Sequence, residues 1–324
     1  MGKTDTSPLD ILVIGELNMD LILNDLEEFP QLGKEKIAND FNLTMGSSSA
    51  IFAANCSRLE QTVGFCGMVG DDDFGKQIRD QLLAFGVDVR HISISKTHKT
   101  GITAVLRYDD DRAMVTYPGA MEHFSLAQID PDAFENARHL HISSLFLQPG
   151  IKTDLFDIIE RAQSRGMTTS IDPQWDPKEQ WDIDFTKLVG RIDFFLPNED
   201  EFLSITESST VKEGINEIRP HLGDGTIIIK QGTEGATFVS SNEVKKIPGY
   251  TNDTPVDTVG AGDSFDAGFI CQILNDTSIE DSIRFGNITG AVSTTEAGGT
   301  RAIQSRKHVQ EIAKKKFSID DFTG

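Results

Sequence analysis

Short, continuous apolar runs alternate with longer amphipathic stretches along most of the chain. Residues 10–14 form such a run, closed by Gly15, and this is the pattern of a parallel strand buried on both faces. Similar runs return at residues 62–69, 139–142, 167–172, 193–196 and 227–230. Helical stretches separate them, among them residues 50–59, which the serines at 47–49 can cap, and residues 151–165. Further helices are predicted from the Gly70–Gly75 loop to about Phe85, from the glycine turn at 260–262 to about Asn275, and over residues 278–296. Strands alternating with helices predict an α/β fold around a mostly parallel central sheet. Three segments break that alternation. Residues 36–44 read as a strand, and residues 100–108 and 112–117 read as a hairpin about Asp109-Asp110-Asp111. With an extended stretch near residues 20–24, they predict a small second sheet.

Composition narrows the function. The chain has 324 residues, with 30 Lys and Arg against 51 Asp and Glu, so its formal charge is −21. That excess of negative charge argues against non-specific nucleic-acid or anionic-membrane binding. An acidic enzyme that holds polyphosphate must supply local positive potential from a helix start, Mg²⁺ and a few basic groups. No run approaches the ~20 apolar residues of a membrane span, and Met1–Pro8 has no apolar signal core, so a cytoplasmic protein is expected. Cys56, Cys66 and Cys271 are scattered without metal-type spacing and read as buried thiols. His139 and His141 share a strand face without a third ligand at a telling spacing, so they read as satisfied core histidines.

The stretch with the most chemistry is Asp257-Thr-Val-Gly260-Ala261-Gly262-Asp263-Ser-Phe-Asp266-Ala-Gly-Phe269, a turn leading into an apolar helix. Backbone N–H groups at Gly260, Ala261 and Gly262 can approach an anion closely, and a helix N-terminus favours one. Asp263 would be repelled by bound phosphate unless it had a task, such as taking a proton from an attacking hydroxyl. The same residues also fit an ordinary turn with Asp263 as a helix cap. Gly70–Lys76 nearly matches a phosphate loop, but Gln77 stands where a Mg²⁺-binding hydroxyl belongs and three aspartates fill the loop. On an extended segment Asn18 and Asp20 project to one face, where they can bind sugar hydroxyls or simply lie on the surface.

As a whole, the 257–269 stretch resembles the C-terminal signature of the ribokinase-like, or phosphofructokinase B, carbohydrate kinases. Gly15-x-x-Asn18-x-Asp20, Gly67–Gly75 and Asn198-x-x-Glu201 are similar to further segments of that family, in matching order. The resemblance implies a three-layer αβα kinase domain over residues 1–324. A discontinuous β lid, from about 17–45 and 99–119, would also offer a homodimer contact. It implies an ATP-dependent sugar kinase, with Asp263 as general base and Gly260, Ala261 and Gly262 as the anion hole. The acceptor set would be Asn18, Asp20, Gly46, Arg112 and Asp257. Asn198, Lys230, Gly232, Gly235 and Asn287 would face the nucleotide, and Glu201 would organise Mg²⁺ through water. The loop at 297–299 would add a monovalent-cation contact, K⁺ being the expected ion.

The sequence departs from the family pattern at Met45-Gly46, where Gly-Gly is usual, and at Ala50, where a substrate-contacting Asn falls. Asp266 reads as a polar-face residue, one turn beyond Asp263. A nucleoside kinase is the alternative, with Phe41, Tyr108 or Tyr117 as the slot for a base. A sugar- or nucleotide-binding regulator without catalysis is the third reading.

Overall fold

A computed structural model describes residues 8–24, 26–28, 30–108 and 111–319, and for residues 111 and 112 only the backbone. Nine strands form the main sheet: β1 (Leu9–Ile14), β4 (Val63–Gly70), β5 (Ile92–Ser95), β8 (Ala137–Ser143), β9 (Thr168–Asp172), β10 (Phe194–Phe195), β11 (Thr226–Lys230), β12 (Ala236–Val239) and β13 (Val244–Ile247). Their order is β13-β12-β11-β10-β9-β8-β1-β4-β5, parallel from β11 through to β5. The β12 and β13 edge is antiparallel.

Alternation along β1 shows why helices cover both faces. Ile11 and Val13 enter a core with Phe265 and Phe269 of the Ala261–Leu274 helix, whereas Leu12 and Ile14 enter another with Leu155 and Ile158 of the Leu155–Gln163 helix. Each such fully buried side chain stabilises the layers by about 1.5–3 kcal/mol. Strands buried on both sides read as continuous apolar runs, as the sequence predicts.

The small sheet has the order β3-β2-β6-β7, built from β2 (Asn18–Asn24), β3 (Asp40–Met45), β6 (Gly101–Tyr108) and β7 (Asp111–Tyr117). β2 runs parallel to β6, and the outer pairs are antiparallel. β3 begins at Asp40 rather than at residue 36, since its ladder with β2 ends at the Asn24–Asp40 pair and Ile37 lies exposed beyond it. The helix expected over 151–165 is two pieces, Pro149–Thr153 and Leu155–Gln163. At the break, the Asp154 carboxylate accepts the Leu126 N–H at 3.0 Å.

The three cysteines are buried thiols. His139 is bonded to Thr168 and Ser170, each at 2.7 Å, and His141 to Ser170 at 2.8 Å; burial pushes both imidazoles down to about 3, so they are neutral core groups. No helix among the described residues is long and apolar enough to cross a membrane.

Candidate active site

Five loops leaving the C-terminal ends of β1, β8, β9, β10 and β11 converge on one cavity of about 990 Å³, with the small sheet as its roof. Clefts at that end of a parallel sheet are where such folds bind ligands. β1 continues through Gly15–Leu17 directly into β2, so Glu16, Asn18 and Asp20 lie where the main sheet hands over to the roof.

Asp263 sits on the cavity wall in the first turn of the Ala261–Leu274 helix and is 7% exposed. Burial, then the charges of Asp172 and Glu16, push its carboxyl up to about 7 against the pull of Lys230 and a Ser48 hydroxyl bond. That value suits a group that must take up a proton near neutrality.

The helix start itself has no side-chain cap, and Gly260, Ala261 and Gly262 all line the cavity beside Asp263. First-turn N–H groups without a cap are a ready anion cradle. Gly260 is required there: its φ is +75°, and a Cβ would stand 2.6 Å from Gly299 Cα. Gly260→Ala is therefore expected to raise the KM for ATP about tenfold or more, roughly 1.4 kcal/mol of lost phosphate binding. Steady-state kinetics with varied ATP checks this.

Asn198 and Glu201 form a reciprocal cap on the Glu199–Ile205 helix. Asn198 Oδ1 accepts the Glu201 N–H, and Glu201 Oε2 accepts the Asn198 N–H, both at 2.9 Å. Both residues line the cavity. Burial and the charge of Asp172 push the Glu201 carboxyl up to about 8. A cavity-facing carboxyl that is costly to ionise alone suits a nearby Mg²⁺, which favours oxygen ligands and the charged form.

Lys230 belongs both to the cavity and to a buried ion-pair network. It touches the cavity, but its Nζ donates to Asp172 Oδ2 at 2.8 Å and Asp266 Oδ2 at 2.9 Å. Burial pushes Asp172 up, and the ammonium outweighs it, leaving that carboxylate below its usual range. Burial and the Asp172 charge push Asp266 well above its own. Asp266 is thus 1% exposed within an ion-pair network, not a polar-face residue.

On the roof side, Asn18 Nδ2 donates to Asp20 Oδ1 at 2.7 Å and Thr103 Oγ1 at 2.9 Å, and all three residues line the cavity. Gly46 lies behind them: a Cβ there would stand 2.3 Å from Asp20 Oδ1, so its bareness makes room for that carboxylate. Arg112 has only its backbone on β7 described, and its side chain lies outside the described residues. Asp257 oxygens accept the N–H groups of Val259 at 3.1 Å and Gly298 at 3.0 Å, so this residue ties the glycine turn to the 297–299 loop.

Asn287 Nδ2 donates to the Pro248 carbonyl at 3.1 Å and, with Gly232 and Gly235, lines the far end of the cavity. The aromatic residues expected to form a base slot are elsewhere: Phe41, Tyr108 and Tyr117 are exposed and do not line it. Phe146 and Trp175 do, each packed edge-on against Trp181.

Three residues of the site were not singled out from the sequence. Glu16 is buried, with the Ser49 hydroxyl donating to it; Ser48 bonds Asp263; and Gln174 bridges Asp172 and Asp263. For Glu16 and Gln174 the available signal was a polar residue just after an apolar run, at the end of β1 and β9.

A buried carboxyl poised near neutrality beside an uncapped helix start is equipment for phosphoryl transfer. Residues 9–306 match the family described as pfkB family carbohydrate kinase. An ATP-dependent ribose-1-phosphate kinase of Halopiger xanaduensis is 29% identical, over 90% of this chain and 94% of that protein. A 2-dehydro-3-deoxygluconokinase of Bacillus subtilis is 28% identical, over 88% and 91%. In structure, an Escherichia coli ribokinase II with ATP and Mg²⁺ superposes with a TM-score of 0.82 at 24% identity, covering 95% of this chain and 99% of that one. The chain belongs to the pfkB family of carbohydrate kinases and is, with that family, an ATP-dependent carbohydrate kinase.

Proposed function

We propose that the protein transfers the γ-phosphoryl group of ATP to a hydroxyl of a pentose, hexose or related sugar bound beneath the small sheet. The observation that carries this reading is the pairing of Asp263, held near pKa 7, with the uncapped Gly260–Gly262 helix start on one cavity wall. Asp263 takes the proton of the attacking hydroxyl, and the backbone N–H groups at 260–262 stabilise charge on the phosphoryl oxygens. Asn18, whose amide donates to both Asp20 and Thr103, and Asp20 orient the sugar. Asn198, Gly232, Gly235 and Asn287 border the nucleotide. Glu201, held by Asn198 at the cavity wall, would help hold Mg²⁺, whose positive charge would offset that of the ATP phosphates. The kinase unit spans residues 1–324, its roof serves as lid and homodimer contact, and the 297–299 loop, tied by Asp257 to the glycine turn, would hold a monovalent cation such as K⁺.

Phe146 and Trp175 on the cavity wall favour a second acceptor class, a nucleoside whose base stacks there. ADP release with ATP and Mg²⁺ across pentoses, hexoses, keto-deoxy sugar acids and nucleosides decides between them. Turnover of a free sugar supports the first reading, and turnover of nucleosides alone replaces it with the second. Ligand binding without any turnover would sink both and leave a regulator.

A further inference from the structure

Gln174 follows Asp172-Pro173 at the end of β9 and has φ +56°, in the left-handed region. A non-glycine residue holds that backbone at a cost of about 1 kcal/mol or more, and it persists where surrounding contacts over-determine it. Here it brings one nitrogen, Gln174 Nε2, to 2.7 Å from Asp172 Oδ2 and 3.1 Å from Asp263 Oδ1. A side-chain amide nitrogen carries two hydrogens, so each carboxyl receives one. Asp172 is fixed in turn by Lys230, which also holds Asp266. An unbroken chain of hydrogen bonds therefore runs from Asp263 through Gln174 and Asp172 to a buried ammonium.

The amide solves an electrostatic problem. Asp263 faces negative charge from Asp172, Glu16 and Glu201, opposed by the positive charge of Lys230. That negative charge disfavours ionisation and pushes an ionised carboxylate away from its neighbours. A neutral donor placed between two carboxyls attracts both, holds their separation and orientation, and favours the ionised form. Gln174 also lines the cavity, so its contact lies at the floor on which the acceptor would rest.

We propose that Gln174 is a positioning residue of the phosphoryl transfer, its amide clamping Asp263 by Oδ1 against the Lys230-anchored Asp172 carboxylate. This rests on the reading of Asp263 as general base. The β9 ladder ends at Asp172, so the Gln174 bridge lies beyond the sheet pairing.

The test compares the natural protein with Gln174→Met, of similar length without the donors, and Gln174→Glu, of similar shape but adding a carboxylate. Asp263→Asn serves as the reference for the base. In Gln174→Met, kcat is expected to fall about 10- to 100-fold with the KM for ATP nearly unchanged. The acidic limb of the kcat profile should move to higher pH by about one pH unit, a factor of ten in the base's ionisation. Gln174→Glu should move it further in the same direction, and it carries the test if the Met variant does not fold. With Asp263→Asn inactive, an unmoved pH profile in both Gln174 variants overturns the clamp alone. Full activity of Asp263→Asn overturns the base assignment and the clamp with it.

Discussion

Asp263→Asn is expected to lower kcat by about 10²- to 10⁴-fold, the usual contribution of a positioned general base. It should do so while making the protein more heat-stable above neutral pH. In the fold this carboxyl is raised from its ordinary value of 3.8 to about 7, chiefly by burial, with Asp172 and Glu16 adding to it. A group whose folded pKa lies above its unfolded one contributes stability that is complete below the unfolded value. That contribution is lost as pH rises through the folded value. The natural protein should therefore lose Tm between about pH 4 and pH 7 on this account. Glu201, raised to about 8, extends the loss of the same sign somewhat further.

Asparagine keeps the shape of the side chain and has no charge to bury. At pH 8 the variant should be more stable by an amount on the order of a few kcal/mol, since each tenfold change in an acid's ionisation constant is worth about 1.4 kcal/mol. Calorimetric Tm against pH, beside single-turnover rates at saturating ATP, reads both effects in one preparation. A variant as active as the natural protein places the base elsewhere. A Tm profile parallel to the natural one frees Asp263 of its pH-dependent burden.

The layers were legible because periodicity is a local property. The β1 and β4 runs, the hairpin and the glycine turn each declare themselves within about ten residues. Convergence is not local. Lys230 meets Asp172 across 58 positions and Asp266 across 36, so nothing near any of them announces an ion-pair network. Asp266 defeats the local reading because a polar position one turn beyond Asp263 faces solvent only on a helix with an exposed stripe. The Ala261–Leu274 helix packs against the Ser48–Arg58 and Ile279–Ser293 helices and buries nearly every residue, so it has no such stripe for Asp266 to join. The base-slot aromatics fail for a reason that the sequence does contain. On β7, Met114 and Thr116 line the cavity, so period two sends Tyr117 to the opposite face. Phe146 lies in the single 3₁₀ turn Leu145–Leu147 and Trp175 in a loop, and neither is long enough for a period to mark its direction.

Lys230→Met tests that hidden network and should have the largest effect on stability. The ammonium is the positive partner of two carboxyl groups that are each 1% exposed. Burial would depress its pKa, but Asp172, Asp266 and Glu201 together hold it well above the ordinary value, so it is charged throughout the physiological range. Methionine fills similar space and leaves Asp172 charged, buried and without its cation. Removing one partner of a buried pair typically costs about 3–5 kcal/mol, which should lower Tm by about 10 °C.

The contribution of Asp172 to the pH dependence should also change sign. In the natural protein Asp172 is held below its usual range, so its contribution is present above the unfolded value and lost as pH falls through the folded one. Without Lys230, burial dominates and the same carboxyl titrates above its unfolded value. Acidification from neutral pH should then stabilise the variant more than it stabilises the natural protein. Adding Asp172→Asn to Lys230→Met should recover much of the loss, because a neutral amide no longer needs the ammonium. Thermal melts of the two single variants and the double variant, at pH 5 and pH 8, measure each of these effects. Were Lys230 chiefly a nucleotide contact, its replacement would raise the KM for ATP at an unchanged Tm, and Asp172→Asn would rescue nothing.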